Sequence, residues 1–166
     1  MKNRPAKKFP NPYSEKLNEF SAHCWNQDSK DIPVKNWNSH FEKRTNGKIQ
    51  KTIFEVGCSN AEFLCRVAKD NPEIGFVGID WKFKVLYKGA KRISDQKTAN
   101  ISLIRGLVQN SKDFFDSKEV DEVWVFFPDP WAKKSQLKNR IMNEEILTIL
   151  ADLMKPGGKL YFKTDH

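Results

Sequence analysis

From residue 52 onward the chain alternates between two hydrophobic periods, and this alternation constrains its fold more than any other feature. Thr52-Ile-Phe-Glu-Val56 is a short, nearly continuous apolar run ending at Gly57. Ala61, Phe63, Leu64, Val67 and Ala68 then recur at helical spacing. Phe76-Val-Gly-Ile-Asp80 reads as a second strand, followed by a basic helix with Val85, Leu86, Ala90 and Ile93 on its inner side. Ile101–Ile104 and Glu122–Phe127 read as the third and fourth strands, the latter stopped by Pro128. Asn143 is placed to cap a helix with Glu144 and Glu145 in its first turn and Ile146, Leu147, Leu150 and Leu153 inward. Lys155-Pro-Gly-Gly158 ends that helix before a fifth strand, Lys159–Lys163. Strands separated by helices predict a parallel sheet covered on both faces, a doubly wound α/β domain. In such sheets ligands bind beyond the carboxyl ends of the strands, where the strand order reverses. The candidate segments are therefore Glu55–Ala61, Asp80–Lys82, Arg105–Val108, Pro128–Lys134 and Thr164–His166.

The first 51 residues are different. They hold Pro5, Pro10, Pro12 and Pro33, and their aromatics (Trp25, Trp37, Phe41) follow no period. The expectation is a basic extension over 1–51, packed in places and otherwise flexible, ahead of a domain over 52–166. Pro10-Asn-Pro12-Tyr13 signals a turn, and Ser14–Phe20 a short helix capped by Ser14. At 166 residues, 39% of them hydrophobic, the chain suits one ordinary domain with a real core. No apolar run approaches the ~18 residues of a membrane helix. Met-Lys-Asn-Arg-Pro-Ala-Lys-Lys lacks the apolar stretch of a secretion signal, so a cytoplasmic protein with no membrane partner is expected. Cys24, Cys58 and Cys65 form no Cys-x-x-Cys pair, and His23, His40 and His166 are scattered, so no metal is expected.

Charge narrows the partner. The net charge is +8, and residues 1–51 alone hold eleven Lys/Arg against five Asp/Glu. Residues 82–97 carry six cations against Asp95, and residues 131–140 carry four with no carboxylate. Clustered cations on a small domain favour a polyanion, either nucleic acid or a membrane surface, over ordinary solubilising charge only when a site adjoins them.

Three strings supply such a site. At the first strand-to-helix turn, Glu55-Val-Gly-Cys-Ser-Asn-Ala61 lets the chain turn at Gly57, though an ordinary βα loop has the same ingredients. Asp80, 23 residues after Gly57, is placed to accept from both hydroxyls of a ribose or, alternatively, to cap the next helix. Phe126-Phe-Pro-Asp-Pro-Trp131 is the most unusual string. Its prolines fix the backbone around Asp129, and Trp131 offers a flat face for a base, the alternative being a rigid turn with a packed tryptophan. Lys133-Lys-Ser-Gln-Leu-Lys-Asn-Arg140 follows as a phosphate clamp or a charged surface loop.

On these residues the sequence resembles the bacterial tRNA (guanine-N7) methyltransferases, which use S-adenosylmethionine. The resemblance runs from Pro10-Asn-Pro-Tyr13 to the end. It is most specific at Phe126–Trp131, the basic stretch after it, and Pro156-Gly-Gly-Lys-Leu-Tyr-Phe-Lys-Thr-Asp165. It implies a Rossmann-like sheet of class I methyltransferase type without the family's last strands. Glu55 and Asp80 match cofactor-contacting acids, with Gly57 in the cofactor turn. Asp129 matches the acid regarded as catalytic or base-binding. Lys133 and Asp165 match substrate-binding positions, and residues 135–140 match the RNA-contacting segment. The family's Gly-x-Gly-x-Gly stands here as Gly57-Cys-Ser59-Asn-Ala61. Leu107 occupies the place of an acid or amide that binds the adenine edge; it can pack on adenine but accepts no hydrogen bond. The family also continues past the position of His166 through a helix and two strands.

The expectation is therefore a methyltransferase using S-adenosylmethionine and acting on N7 of a guanine in tRNA. Asp129 would orient the guanine, Asp80 would hold the cofactor's ribose, and Lys133, Lys134, Lys138 and Arg140 would hold phosphates. A non-catalytic RNA-binding relic is the alternative, favoured by Ser59, Ala61, Leu107 and the early stop, and opposed by intact Asp80, Asp129 and Asp165. A small-molecule methyltransferase is disfavoured by the clustered cations.

Overall fold

Each apolar run beyond residue 50 becomes a strand and each helical stripe a helix. The computed structural model describes residues 11–30, 32, 35–129, 131 and 140–165. Chain order is α1 (Pro12–Leu17), a 3-10 turn (Asn18–Phe20), β1 (Cys24–Asn26), α2 (Trp37–Thr45), β2 (Lys51–Val56), α3 (Glu62–Asp70), β3 (Ile74–Asp80), α4 (Phe83–Asp95), β4 (Ile101–Arg105), a 3-10 helix (Val108–Asp113), β5 (Val120–Phe126), α5 (Glu144–Leu153) and β6 (Met154–Lys163). The six strands form one sheet in the order β1-β4-β3-β2-β5-β6, and every neighbouring pair is parallel. From β2 the chain steps outward to β3 and β4, then returns to lay β5 and β6 on the other side. The order therefore reverses between β2 and β5, the crevice where a ligand of such a sheet sits.

Alternation along β2 splits the core into two layers. Ile53 packs with Leu64, Phe76, Leu86, Ile93 and Leu103 beneath α3 and α4. Phe54 packs on the opposite face with Trp37, Phe41, Phe115, Leu150 and Leu153. Asn143 caps α5 as expected, its Oδ1 accepting from Ile146 N at 3.0 Å. β6 begins five residues earlier than the sequence suggests, at Met154, with a register shift against β5 between Val120 and Glu122. The Pro-Gly-Gly stretch is thus absorbed as an irregularity inside the strand.

The described part of the first 50 residues is woven into this core. β1 pairs with β4, aligning Cys24 with Leu103, and so forms one edge of the sheet. Trp37 and Phe41 are fully buried, and Trp37 Nε1 donates to Phe114 O at 3.0 Å. The cap of α1 is Asn11 rather than Ser14: Asn11 Oδ1 accepts from Tyr13 N at 2.9 Å, while Ser14 Oγ donates to Asn11 O. Pro12 at the first helical position sacrifices an amide that has no helical acceptor anyway, which fixes the start one turn earlier.

At the rim where strands begin, polar side chains hold neighbouring elements together. Asn100 Nδ2 reaches the carbonyls of Ala68, Asn71 and Ile74 at 3.2, 3.0 and 2.9 Å. Asp121 accepts from Thr52 N and Lys155 Nζ. Arg44 donates to Ile101 O and Ser102 Oγ and meets His23 Nδ1.

Candidate functional site

At the opposite rim the strand ends converge. Glu55 is the next-to-last residue of β2, and its side chain is buried in the sheet. Its Oε2 is buried without a hydrogen bond, and burial pushes the carboxyl up to about 7. A buried unpaired carboxylate costs free energy, so such a group waits for a cation or donor that the protein itself does not provide. Gly57 follows with φ +81, and a side chain there would meet nothing within 4 Å. The glycine is required by its backbone conformation, and the space above it is open.

The turn keeps a left-handed path at the two positions where the resemblance implies glycine. Ser59 has φ 51 and Ala61 φ 52. Their small side chains are tolerated because Ser59 is exposed and Ala61 packs, fully buried, below the turn.

Asp80, at the end of β3, ties this turn to the next. Its Oδ2 accepts from Ser59 N at 3.1 Å and its Oδ1 from Lys82 N at 2.9 Å. The cap position of α4 is Lys82, whose side chain makes no cap bond, so Asp80 is a clamp between loops rather than the helix cap. Each carboxylate oxygen accepts one of these bonds and has capacity for another. Beside it, Trp81 and Leu107 are about half exposed. Leu107 N donates to Gln27 Oε1, which also accepts from Asn110 Nδ2, both at 3.2 Å. The amide of Gln27, from the end of β1, therefore stands beside the position where Leu107 lacks an acceptor.

Asp129 lies across the switch point from Glu55, beyond β5. Phe127 N donates to Lys163 O at 2.7 Å, so the turn is pinned to the end of β6. The Asp129 side chain is exposed, and Lys82 Nζ stands 3.9 Å from its Oδ2. Pro128 and Asp129, with Arg140, Ile141, Met142, Phe162 and Thr164, line a cavity of about 260 Å³. That volume lies just below the range for drug-sized ligands and suits a single base. Trp131 is half-buried with φ 42. Asp165 is exposed next to Thr164 at the same rim.

The structure thus brings Glu55, Gly57, Asp80, Leu107, Asp129, Arg140 and Asp165 to one rim. Lys133, Lys134 and Lys138 lie outside the described residues. Sequence reasoning missed Lys82 as the cation facing Asp129, and Gln27 as the group behind Leu107. The six-cation run over 82–97 pointed at the first; nothing in a three-residue strand pointed at the second.

Among the described residues no group of three or more His, Cys, Asp and Glu is arranged to hold a metal ion, and no helix is long and apolar enough to cross a membrane.

The tRNA (guanine-N(7)-)-methyltransferase of Cytophaga hutchinsonii is 36% identical over 130 residues, which are 78% of this chain and 57% of that protein. The enzyme of the same name from Clostridioides difficile is 29% identical over 92% of this chain and 68% of its own length. The chain thus spans less than two thirds of the Cytophaga relative. Among solved structures, the aminoglycoside resistance methyltransferase NpmB1 superposes with a TM-score of 0.58 at 22% identity, over 75% of this chain and 60% of that one. Residues 49–166 match the model of the family described as "Putative methyltransferase". The match takes in β2 to β6, with the turn at Gly57 and the Asp129 rim, and on it the chain belongs to this methyltransferase family.

Proposed function

We propose that this chain transfers a methyl group from S-adenosylmethionine to N7 of a guanine in tRNA. The observation that carries the reading is the pairing, across one switch point, of a buried unpartnered carboxylate with a base-sized cavity. Glu55 Oε2 needs a cationic or donor partner, and the cofactor's amino-acid end offers an ammonium. The donor set fits the rest of the group as well. Asp80 has lone pairs for the ribose hydroxyls, and Trp81 and Leu107 offer apolar surface for the adenine. The bound cofactor supplies a methyl already activated on a sulfonium. Guanine N7 carries an in-plane lone pair and needs no deprotonation, so no histidine base is called for.

What remains for the protein is alignment, which is worth effective molarities on the order of 10⁵ M or more. Asp129 accepts from the N–H edge of the guanine and turns N7 toward the cofactor turn. Lys82 Nζ, 3.9 Å from Asp129 Oδ2, places a cation beside that carboxylate at the rim. Pro128, Ile141, Met142 and Phe162 exclude water from the base. Arg140, with Lys133, Lys134 and Lys138, holds phosphates, and Asp165 contacts the substrate. The cytoplasm, where tRNA is modified, is the compartment this reading implies. The relic alternative loses its main support, because Ser59 and Ala61 keep the left-handed backbone of the turn.

The test is transfer of labelled methyl from S-adenosylmethionine to an unmodified tRNA transcript, read by strand cleavage at N7-methylguanine. Wild type is expected to transfer. Asp129→Ala should fold and melt like wild type, since the side chain is exposed, yet lose about 100-fold in rate as in-line geometry is lost. Full activity in that variant would remove Asp129 from the mechanism. Absence of transfer by wild type would remove the proposal.

A further inference from the structure

Away from the methyl-transfer rim, a groove of about 850 Å³ opens between α3 and the end of α4. Its walls carry Arg44, Arg66, Lys69, Arg92 and Lys97 against a single carboxylate, Glu62. The helical repeat explains the arrangement. Glu62, Arg66 and Lys69 stand at i, i+4 and i+7 and so share one stripe of α3, roughly 10 Å long. Arg92 of α4 and its C-cap residue Gln96 face them, and Lys97 follows in a left-handed turn with φ 53.

Internal contacts engage Arg44, which donates to Ile101 O and Ser102 Oγ, and Arg92, which donates to Asn60 O at 2.7 Å, but leave the rest of this charge available. Glu62 is shared between Arg66 at 3.8 Å and Arg92 at 3.6 Å. Lys69 and Lys97 have no ion-pair partner among the described residues. The outer side of α4 adds Lys84, Lys88 and Lys91, all exposed, of which Lys91 pairs with Asp95 at 2.8 Å. None of the exposed large apolar side chains of the described residues lines the groove, so it has nothing to insert into a bilayer or an apolar partner. A cationic, polar, elongated concavity suits a phosphodiester backbone.

Its position gives the charge a direction. One end lies at Glu62, immediately after the turn 57–61. The other reaches Pro72 and Asn100, at the rim where β3 and β4 begin. We propose that this groove is a second RNA track, in which Arg66, Lys69, Arg92 and Lys97 hold two or three consecutive phosphates of the substrate RNA away from the methylated guanine. This rests on the reading that RNA is the substrate, and it assigns a binding role to the cationic α4 that the methyl-transfer site does not use.

The test compares two triple variants of equal charge. Arg66→Gln/Lys69→Gln/Lys97→Gln removes three of the groove's five cations; Lys35→Gln/Lys112→Gln/Lys118→Gln removes three exposed lysines near the 108–119 segment, on the other side of the sheet. Affinity for an unmodified tRNA transcript is measured over a range of salt concentrations, and affinity for S-adenosylmethionine by calorimetry. The groove variant should bind RNA more weakly, with a salt slope lower by up to about three, one per lost phosphate contact. Its affinity for the cofactor and its melting temperature should equal wild type, and the control variant should keep most of the slope. Equal slopes in both variants and wild type, while wild type binds and methylates tRNA, would sink the groove and spare the proposed function. Wild type that binds no RNA would sink both. Inorganic triphosphate displacing tRNA from wild type but not from the groove variant, at concentrations where it is the tighter ligand, would make this a small-anion site and overturn the RNA track.

Discussion

Where the strands begin, Asn100 joins three carbonyls, Asp121 joins β2 to β6, and Arg44 meets four acceptors or ring nitrogens. Where they end, Asn26 and Glu55, in the last two residues of β1 and β2, each carry a buried side-chain oxygen that lacks any partner among the described residues. The same sheet thus has one rim whose polar groups are mutually satisfied and one whose groups are left for something else. The difference teaches where stability and function separate. Satisfied buried polar groups lock one structure, while unsatisfied ones tax it and are retained where a ligand completes them. Substitutions of the bonded polar side chains at the first rim (Asn100, Asp121, Arg44) should cost fold, and substitutions at the second should cost binding or chemistry.

The largest stability effect expected is at the locked rim. Asn100→Ala would remove the amide that holds the end of α3, the turn after it and the start of β3. Leaving those carbonyls unmatched should cost roughly 2–3 kcal/mol. Urea unfolding should show a lower midpoint at unchanged slope, with cofactor affinity preserved in the folded protein. An unaltered midpoint would mean that this rim is not locked by its side chains, and the contrast would fail.

A second, smaller effect is a pH dependence with opposite signs at the two rims. Burial, helped by Arg44 and Lys43, holds His40 down at about 4, and burial also lowers His23. The unfolded chain binds protons at His40 below its ordinary value, so this rim loses stability as pH falls from about 6.5 to 4. Glu55 is pushed up to about 7 by burial, so the folded chain holds a proton that the unfolded one releases. That contribution is present at low pH and is lost as pH rises from about 4.5 through 7. The two slopes oppose each other between 4.5 and 6.5. Glu55→Gln should therefore unmask a steeper acid loss than wild type shows, and should abolish the decline toward pH 7. Parallel profiles for the two proteins would mean that Glu55 is not held protonated by the fold.

What could be read from sequence divides along physical lines. Strands β2, β3 and β5 were legible because sheets covered on both faces need nearly continuous apolar runs, and Gly57 and Pro128 punctuate them. Asp80 and Asp129 were legible because their position after a strand already places them at the rim. α2 was not, since only Trp37 and Phe41 of its nine residues are deeply buried, too few for a period. β1 has three residues and exists through its pairing with β4, which no local pattern carries. Gln27 and Lys82 act through contacts with residues 80 and 47 positions away, so their roles follow from topology alone.

The smallest effect expected concerns the turn itself, where the open rim stores backbone strain in place of unpaired charge. Ser59 and Ala61 both sit in the left-handed region, at φ 51 and 52, a conformation that costs a non-glycine residue about 1–2 kcal/mol. Glycine removes that cost but adds about 0.5–1 kcal/mol of chain entropy. Ser59 is exposed and its amide, which donates to Asp80 Oδ2, survives the substitution. Ser59→Gly should therefore raise stability by roughly 0.5–1 kcal/mol, the difference of those two terms. Ala61 is fully buried, so Ala61→Gly gains the same relief and loses about 0.8 kcal/mol of methyl burial. Its net change should lie near zero. Urea midpoints of the two variants separate the terms, because the backbone contribution is common and only packing differs. A loss of stability in Ser59→Gly would mean that the serine side chain holds the turn, and that the open rim is stabilised at this point in the same manner as the closed one.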